Sequence, residues 1–212
     1  MQTIDFYFDP CCPFCWITSR WLLQVSAHRE IDMSWRQFSL ALKNNELAVR
    51  ENESKYASTH RAGHRVQRVI AAAAQHHPEK MLELYTSFGV KFHIAGLPFD
   101  DTMIATVLNE LQLPTELASA ADDTSYDASL KDSLQAALKV VGNDVGVPLI
   151  IFTLADGTQQ GYFGPVLNEL PALEESLQIW DGLAALATAK SFYELKRTRP
   201  TGQPDVFTTA RC

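Results

Sequence analysis

The sequence has few cysteines, no long apolar run and no excess of positive charge. Only 4 of its 212 residues are cysteine, which excludes a small scaffold held together by several disulfides. No uninterrupted apolar segment reaches about 18 residues, so we predict no membrane span. The formal net charge of −7 disfavours nucleic acid or an anionic membrane surface as the main partner.

The first residues also lack the features of a secretory signal. The segment MQTIDFYFDP has neither a basic stretch nor a small-residue cleavage site, and it begins a strand at once. We therefore predict a cytoplasmic protein, and without a heptad pattern or a long exposed strand edge we expect a monomer. In a reducing compartment, a close pair of cysteines is more often redox-active or metal-binding than structural.

Apolar periodicity predicts strands towards both ends of the chain. Residues 3–8 and 31–38 alternate as strands do, and a helix from Pro13 to about residue 28 lies between them. Residues 148–154 and 159–164 form a second pair of strands around the Asp156-Gly157 turn, followed by a helix over 168–187. The outer parts therefore read β-α-β and then β-β-α.

The middle of the chain is helical in period throughout. Residues 44–141 predict four or five helices and contain no strand candidate. The fold class is thus α/β, with a discontinuous domain (1–43 and 142–190) split by a helical insertion (44–141). A C-terminal segment (191–212) follows, and its polar tail from Pro200 is expected to be loose.

Three of the four cysteines stand together in the segment DPCCPFCW. Cys12-Pro13-Phe14-Cys15 is a C-x-x-C motif at the junction of the first strand and helix, where helix amides and the helix dipole favour a thiolate at Cys12. Cys15 shares the first helical turn and can resolve a mixed disulfide. A cation between the two cysteines would stabilise the thiolate and make the couple a stronger oxidant. Because neither Pro13 nor Phe14 is ionisable, we expect a milder, more reducing couple.

Other interpretations of the cysteines stay open at this point. Structural zinc uses the same spacing but usually needs a second pair of ligands. The chain has no second C-x-x-C, its remaining cysteine is the terminal Cys212, and the pair His60 and His64 has no obvious partners. A structural disulfide is disfavoured in the cytoplasm. Cys11 is either a small buried residue or a spare thiol that competes with Cys15.

Two further features bear on function. Val147-Pro148 places a proline at the start of the third strand, a position at which a functional turn can hold the proline in cis. Two basic clusters are either solvated faces or a dedicated anion site: Arg61, Arg65 and Arg68, and Lys196, Arg197 and Arg199.

These features together resemble the DsbA-like branch of the thioredoxin superfamily, which carries C-P-x-C, a helical insertion and a cis-proline before the third strand. The stretches FDPCCPFCWITSRWLL, SLALKNN, VGNDVGVP, FGPVL and FYELKRTR look like actinobacterial mycothiol-dependent reductases, which include nitroreductases. The resemblance implies that Cys12 attacks a disulfide or electrophilic substrate and that Cys15 resolves. Mycothiol or a related low-molecular-weight thiol then restores the dithiol, with no bound cofactor and no metal.

The resemblance also extends to residues around the cysteines. It implies roles in thiol or substrate binding for Asn44 and Tyr56, with loop capping and core packing as the respective alternatives. The loop 163–167 either closes the same groove or is a plain loop. The subgroup usually has Trp where this chain has Phe14 and Thr where it has Val147, so we expect thiol exchange more than nitro reduction. Val147 still offers its backbone to an extended substrate.

Two other functions fit this architecture. Kappa-type glutathione transferases and hydroxychromene carboxylate isomerases share it, but they carry Ser in place of the attacking cysteine and have no resolving thiol. A non-catalytic peptide-binding module would use the groove beside Pro148 through backbone pairing. A Cys12→Ser variant separates the last from a reductase, because only the binding module keeps its activity.

Overall fold

The computed structural model of the protein describes residues 1–210. Strands and helices follow one another as β1 (Gln2–Phe8), α1 (Pro13–Ser26), β2 (Ile31–Gln37), α2 (Leu40–Lys43), α3 (Ala57–Ala74), α4 (Met81–Gly89), α5 (Asp101–Glu110), α6 (Asp127–Val141), β3 (Leu149–Thr153), β4 (Gln159–Phe163) and α7 (Leu173–Leu186). A π-helical turn (Val90–Ile94) continues α4. Across these residues, no helix combines the length and the apolar character needed to cross a bilayer.

The four strands form one sheet in the order β2-β1-β3-β4. β1 pairs antiparallel with β3 from Thr3 opposite Thr153 to Tyr7 opposite Leu149, and β3 forms an antiparallel hairpin with β4. The predicted β-α-β and β-β-α succession is confirmed, and the chain has the thioredoxin fold with a helical insertion. The closing helix α7 begins later than predicted, at Leu173, because residues 168–172 are irregular and include Pro171.

The chain divides into two compact units. The first contains residues 1–7, 12–36 and 137–210, and the second contains residues 8–11 and 37–136. The predicted boundaries at 44 and 141 therefore differ from these units by several residues. Residues 37–43 belong with the helical unit because Phe38 is fully buried there, and because the Gln37 side chain donates to the Gln67 carbonyl at 2.7 Å.

The core of the first unit packs α1 and α7 against the sheet. Ile4 and Phe6 point inward from β1, as their alternation predicts, and both are buried. Trp21 of α1 lies 6.1 Å from Trp180 of α7, centroid to centroid, and its Nε1 donates to the Ser176 carbonyl at 3.2 Å. These buried aromatic rings pack α1 against α7, and they contribute a large apolar contact area.

The polar tail is ordered rather than loose as expected. Val206–Thr209 forms a short 3-10 helix, and Thr209 is buried. Its Oγ1 accepts a hydrogen bond from Trp16 Nε1 at 2.8 Å, and the Asp205 amide donates to the Asn168 carbonyl at 2.7 Å. Because a buried indole N–H needs an acceptor, Trp16 of α1 holds the segment around Thr209 in place.

In the second unit, α3 carries a buried polar network. His64 accepts a hydrogen bond from Ser39 at Nδ1 (2.9 Å) and donates from Nε2 to Asp127 (2.9 Å). Arg68 also donates to Asp127, at 2.7 and 2.9 Å. Burial lowers the pKa of His64 even though Asp127 opposes that shift. Ser39 has no exposed surface, so this Ser–His–Asp chain serves the packing of α2, α3 and α6.

Candidate active site

Cys12 stands immediately before α1, as its N-cap residue, and its carbonyl accepts the Trp16 amide at 3.1 Å. Pro13 fills the first helical position, where the missing N–H costs no hydrogen bond. Cys12 and Cys15 are both thiols, with 8% and 0% of their surface exposed. Cys12 is thus the more exposed of the two cysteines, but it is buried, whereas an exposed attacking thiol was expected. The attacking role of Cys12 stays a prediction.

The loop before β3 meets Cys12. The Cys12 thiol donates to the Val147 carbonyl, with Sγ and O 3.6 Å apart. The Val147–Pro148 peptide bond is cis, and both residues are buried. The pairing of the strands explains this contact. Tyr7 near the end of β1 lies opposite Leu149 at the start of β3, so the segment after β1 and the segment before β3 lie at the same end of the sheet. Residues 135 positions apart thereby come together.

The loop 163–167 is tied to the same place. The Gly164 amide donates to the Pro148 carbonyl at 2.8 Å, and Thr18 Oγ1 of α1 donates to the Pro165 carbonyl at 2.8 Å. The Gly164–Pro165 bond is also cis, a feature that the sequence analysis missed. Gly164 has φ of +117°, which disfavours any other residue. The loop is therefore part of the framework around Pro148 and α1.

Phe14 has a charged neighbour that the sequence analysis did not identify. The guanidinium carbon of Arg199 lies 5.3 Å from the centroid of the Phe14 ring. Arg199 was assigned only to a basic cluster, because 185 residues of sequence separate it from Phe14 and no local pattern links them. The structure brings together Cys12, Phe14, Val147 and Arg199 in the first unit.

Cys11 belongs to the second unit and is buried. Its amide donates to Asp9 Oδ1 at 3.0 Å, and Asp9 also accepts the Leu40 amide at 2.8 Å. Burial raises the pKa of Asp9, and these hydrogen bonds only partly oppose the shift. A Cβ at Gly63 would lie 3.1 Å from Cys11 Cβ and 3.2 Å from its Sγ, so α3 packs directly on Cys11. This matches the interpretation of Cys11 as a small buried residue.

His93 anchors the same segment, from the π-helical turn. Its Nε2 donates to the Pro10 carbonyl at 2.9 Å. Burial lowers the pKa of His93 to about 4, and the hydrogen bond to Pro10 opposes this shift. The imidazole is therefore neutral near pH 7 and holds the segment that precedes Cys12 as a hydrogen-bond donor. No motif or spacing in the sequence points to His93, because its partner Pro10 is 83 residues away.

Asn44 and Tyr56 both lie in the second unit. Asn44 is the C-cap residue of α2, and its Nδ2 lies 3.4 Å from Glu46 Oε2. Tyr56 precedes α3 and is 46% exposed, so the alternative of core packing is wrong for Tyr56. Lys55 Nζ lies 4.8 Å from the Tyr56 ring. The roles of Asn44 and Tyr56 in binding stay predictions.

The residues considered for zinc lie in separate hydrogen-bonded pairs. His60 Nδ1 contacts Glu46, whereas His64 bonds to Ser39 and Asp127. Throughout residues 1–210, no three His, Cys, Asp or Glu side chains converge as metal ligands would. Cys212 lies outside the described residues.

Comparison with known proteins gives related sequences and related folds. Residues 11–197 match the model of a family described as Rv2466c-like, mycothiol-dependent nitroreductase Rv2466c. The uncharacterized protein Rv2286c of Mycobacterium tuberculosis is 30% identical over 202 residues, which cover 94% of this chain and 83% of that protein.

Two solved structures show the same fold. The probable DsbA oxidoreductase SCO1869 of Streptomyces coelicolor has a TM-score of 0.57 at 17% identity and covers 97% of each chain. The cytosolic disulfide reductase DsbM of Pseudomonas aeruginosa has a TM-score of 0.55 at 16% identity and covers 87% of this chain and all of its own. DsbM has also been solved with glutathione.

Proposed function

Since the chain belongs to the Rv2466c-like family of mycothiol-dependent nitroreductases, we propose that it is a thiol–disulfide oxidoreductase that works as a reductase. The contact between Cys12 Sγ and the Val147 carbonyl supports this proposal most directly. It sets the thiol at the N-terminus of α1 against the backbone that precedes Pro148, with a second thiol in the same helical turn. That is the arrangement that disulfide exchange needs.

The reaction begins at Cys12. Its thiolate attacks one sulfur of the substrate disulfide, a bond forms between Cys12 Sγ and that sulfur, and the other sulfur leaves as a thiolate. The positive end of the α1 dipole stabilises charge at Cys12. The backbone of Val147 lies beside the reacting sulfur and is available to an extended substrate.

Cys15 completes the first half of the cycle. Its thiolate attacks Cys12 Sγ, releases the second substrate thiol and leaves a Cys12–Cys15 disulfide, so that the protein loses two electrons and two protons to the substrate. Two molecules of a low-molecular-weight thiol then reduce this disulfide. The first forms a mixed disulfide with Cys12, and the second releases it. The family's description favours mycothiol as this thiol, and the structure of DsbM with glutathione supports a low-molecular-weight thiol as the partner.

The cytoplasm is the compartment that suits this cycle, because a reducing thiol pool must regenerate the dithiol. The transferase or isomerase alternative shares the fold, but it does not need the paired thiols of Cys12 and Cys15. A binding module does not need them either. The pair of thiols and the family assignment therefore both favour the reductase.

Nitro reduction is a second candidate, favoured by the family's description and by the half-buried aromatic ring of Phe14 between the two cysteines. The dithiol would supply two electrons and two protons to a nitro group, giving a nitroso group and water. The protein would be left with the Cys12–Cys15 disulfide, and the low-molecular-weight thiol would then restore the dithiol.

Intact-mass analysis tests the main proposal. The oxidised wild type is incubated separately with mycothiol and with glutathione, and the reduced Cys15→Ser variant is incubated separately with the symmetric disulfide of each thiol. We expect mycothiol to reduce the wild type. In the variant, Cys12 should attack mycothiol disulfide, release one mycothiol and keep the other as a single adduct, because Cys15 is no longer present to resolve it. Cys11→Ser is the matched control and should react as the wild type does.

Two outcomes would contradict the proposal. If neither thiol forms an adduct and only a thioredoxin system reduces the pair, mycothiol is not the reductant. If a Cys12→Ser variant keeps full activity towards the substrate, the protein acts by binding rather than by disulfide exchange.

A further inference from the structure

The segment before the C-terminal 3-10 helix is held at both ends. We call residues 193–204 the C-terminal strap; they form neither a helix nor a strand. Before the strap, the Phe192 ring lies 5.9 Å from the Tyr162 ring, and the Phe192 carbonyl accepts the Tyr162 hydroxyl at 3.4 Å. After it, the Asp205 amide donates to the Asn168 carbonyl at 2.7 Å. These two attachments limit where the strap can run.

Arg199 is the residue of the strap that contacts the cysteine motif. Its guanidinium lies over the Phe14 ring, 5.3 Å from the centroid, within the range of a cation–π contact. Phe14 is one of the two residues between Cys12 and Cys15. The contact therefore holds a permanent positive charge beside the first turn of α1.

The charge near this site is not neutralised within the described part of the chain. The strap sequence contains one acidic residue, Glu194, and three cations, Lys196, Arg197 and Arg199. Among residues 1–210, none of these three cations forms an ion pair with a carboxylate. The sequence of α1 contains no Asp or Glu, and the positive end of its dipole lies at the same turn. In a chain of net charge −7, Arg199 thus places a positive charge beside Phe14 of the cysteine motif.

We propose that Arg199 is a specificity-determining residue that makes the protein react faster with disulfides that carry negative charge close to the sulfur. This inference rests on the proposed thiol–disulfide activity. The guanidinium is planar and offers several N–H donors while it stacks on Phe14, so it can bind a carboxylate and keep its place on the ring. A histidine inside the motif would give a cation to the first turn, and Arg199 supplies one from the strap instead.

Two chromogenic disulfides separate charge from intrinsic reactivity. Dithiobis(nitrobenzoate) is a dianion, and dithiodipyridine is neutral. With either probe, Cys12 attacks one sulfur and the first aryl thiolate leaves. Cys15 then attacks Cys12, and the second aryl thiolate leaves. The protein loses two electrons and two protons in each case, so the ratio of the two rate constants reports the effect of charge on the approach to Cys12.

We expect Arg199→Glu to lower the ratio of the dianionic to the neutral rate constant about tenfold at low ionic strength, and Arg199→Gln to lower it about threefold. Salt at about 1 M should remove most of the difference, because it screens exposed charges. Arg199→Lys keeps the charge but loses the planar stack, and should fall between the wild type and Arg199→Gln.

Arg197→Glu is the matched control, since it makes the same charge change two residues away. We expect it to lower the ratio by no more than about twofold. An unchanged ratio in Arg199→Glu would overturn the inference, and so would equal decreases in Arg199→Glu and Arg197→Glu, which would assign the effect to the whole strap. In both cases the thiol–disulfide activity would stand. If neither probe produces the Cys12–Cys15 disulfide in the wild type, the proposed function fails and this inference with it.

Discussion

The two basic clusters of the chain contain three cations each, but their surroundings differ. In the helical unit, each arginine forms an ion pair: Arg61 with Glu53 at 2.7 Å, Arg65 with Asp101 and Asp122 at 2.8 Å, and Arg68 with Asp127 at 2.7 Å. In the C-terminal strap, Lys196, Arg197 and Arg199 form no ion pair with a carboxylate of residues 1–210.

The partners of a charged side chain determine whether it stabilises the fold or is available to a ligand. Arg68 and Asp127 are almost buried, with 10% and 13% of their side-chain surface exposed, so each would be costly to bury without the other. The two charges are paired with each other within the fold, so neither is available to a ligand. The Arg199 side chain is exposed and rests on an aromatic ring, so its charge stays available to a ligand. Arg68 stabilises the protein, and Arg199 gives charge to the cysteine site.

The largest effect in this comparison should come from breaking the buried pair. Asp127→Ala leaves the Arg68 guanidinium without its carboxylate and removes the acceptor of His64 Nε2. We expect a loss of about 3 kcal/mol in the free energy of unfolding, measured by urea denaturation, because an unpaired buried charge keeps its desolvation penalty.

Asp122→Ala is the control for this prediction. It also removes a partner of an arginine, Arg65, but the Asp122 side chain is 75% exposed. Exposed pairs contribute little, so we expect a loss below about 1 kcal/mol. Similar losses in the two variants would mean that the Asp127 pair is not more important to stability than a surface pair.

The next effect concerns His93 and the pH dependence of stability. Burial lowers its pKa to about 4 in the folded protein, whereas an unfolded histidine titrates near 6.5. Below pH about 6.5 the unfolded chain gains a proton that folded His93 does not accept, so stability falls as the pH decreases towards 4. From pH 7 to pH 5 this residue should remove about 2 kcal/mol from the free energy of unfolding.

His93→Gln tests this expectation, because glutamine keeps an N–H donor for the Pro10 carbonyl but does not titrate. The variant should lose about 2 kcal/mol less than the wild type between pH 7 and pH 5 in urea denaturation. The pKa of His64 is also lowered by burial, and its contribution is present in both proteins. Parallel pH profiles would show that His93 is solvated or charged in the folded state.

The sequence was sufficient for the parts of the fold that depend on local patterns. Alternation predicts β1 because Ile4 and Phe6 must both face the core, and Pro13 after a strand predicts the start of α1. Asp156-Gly157 predicts the hairpin, and Gly157 does adopt a positive φ of 80° there. The C-x-x-C motif likewise shows its geometry locally, because both cysteines lie in one helical turn.

The remainder of the site depends on contacts between residues far apart in sequence. Nothing local in the sequence indicates that Arg199 will reach Phe14, or that the Thr209 hydroxyl will accept a hydrogen bond from Trp16. The tail was expected to be loose because its composition is polar, but hydrogen bonds to Trp16 and Asn168 hold it in place. Composition likewise could not distinguish the paired basic cluster from the unpaired one, since Arg68 and Asp127 are 59 residues apart.

The smallest effect on the free energy of unfolding should be that of Arg199. It tests the cluster of the C-terminal strap in the way that Asp127→Ala tests the cluster of the helical unit. Arg199→Ala removes a cation–π contact at an exposed position, which contributes about 0.5–1 kcal/mol at most. Its urea midpoint should therefore lie close to that of the wild type, while its selectivity between the two disulfides falls. A destabilisation as large as that of Asp127→Ala would show that Arg199 is a structural residue. We expect Asp127→Ala to lose stability and Arg199→Ala to lose selectivity between the two disulfides. Measuring both properties on both variants therefore decides whether Arg68 and Arg199 have different roles.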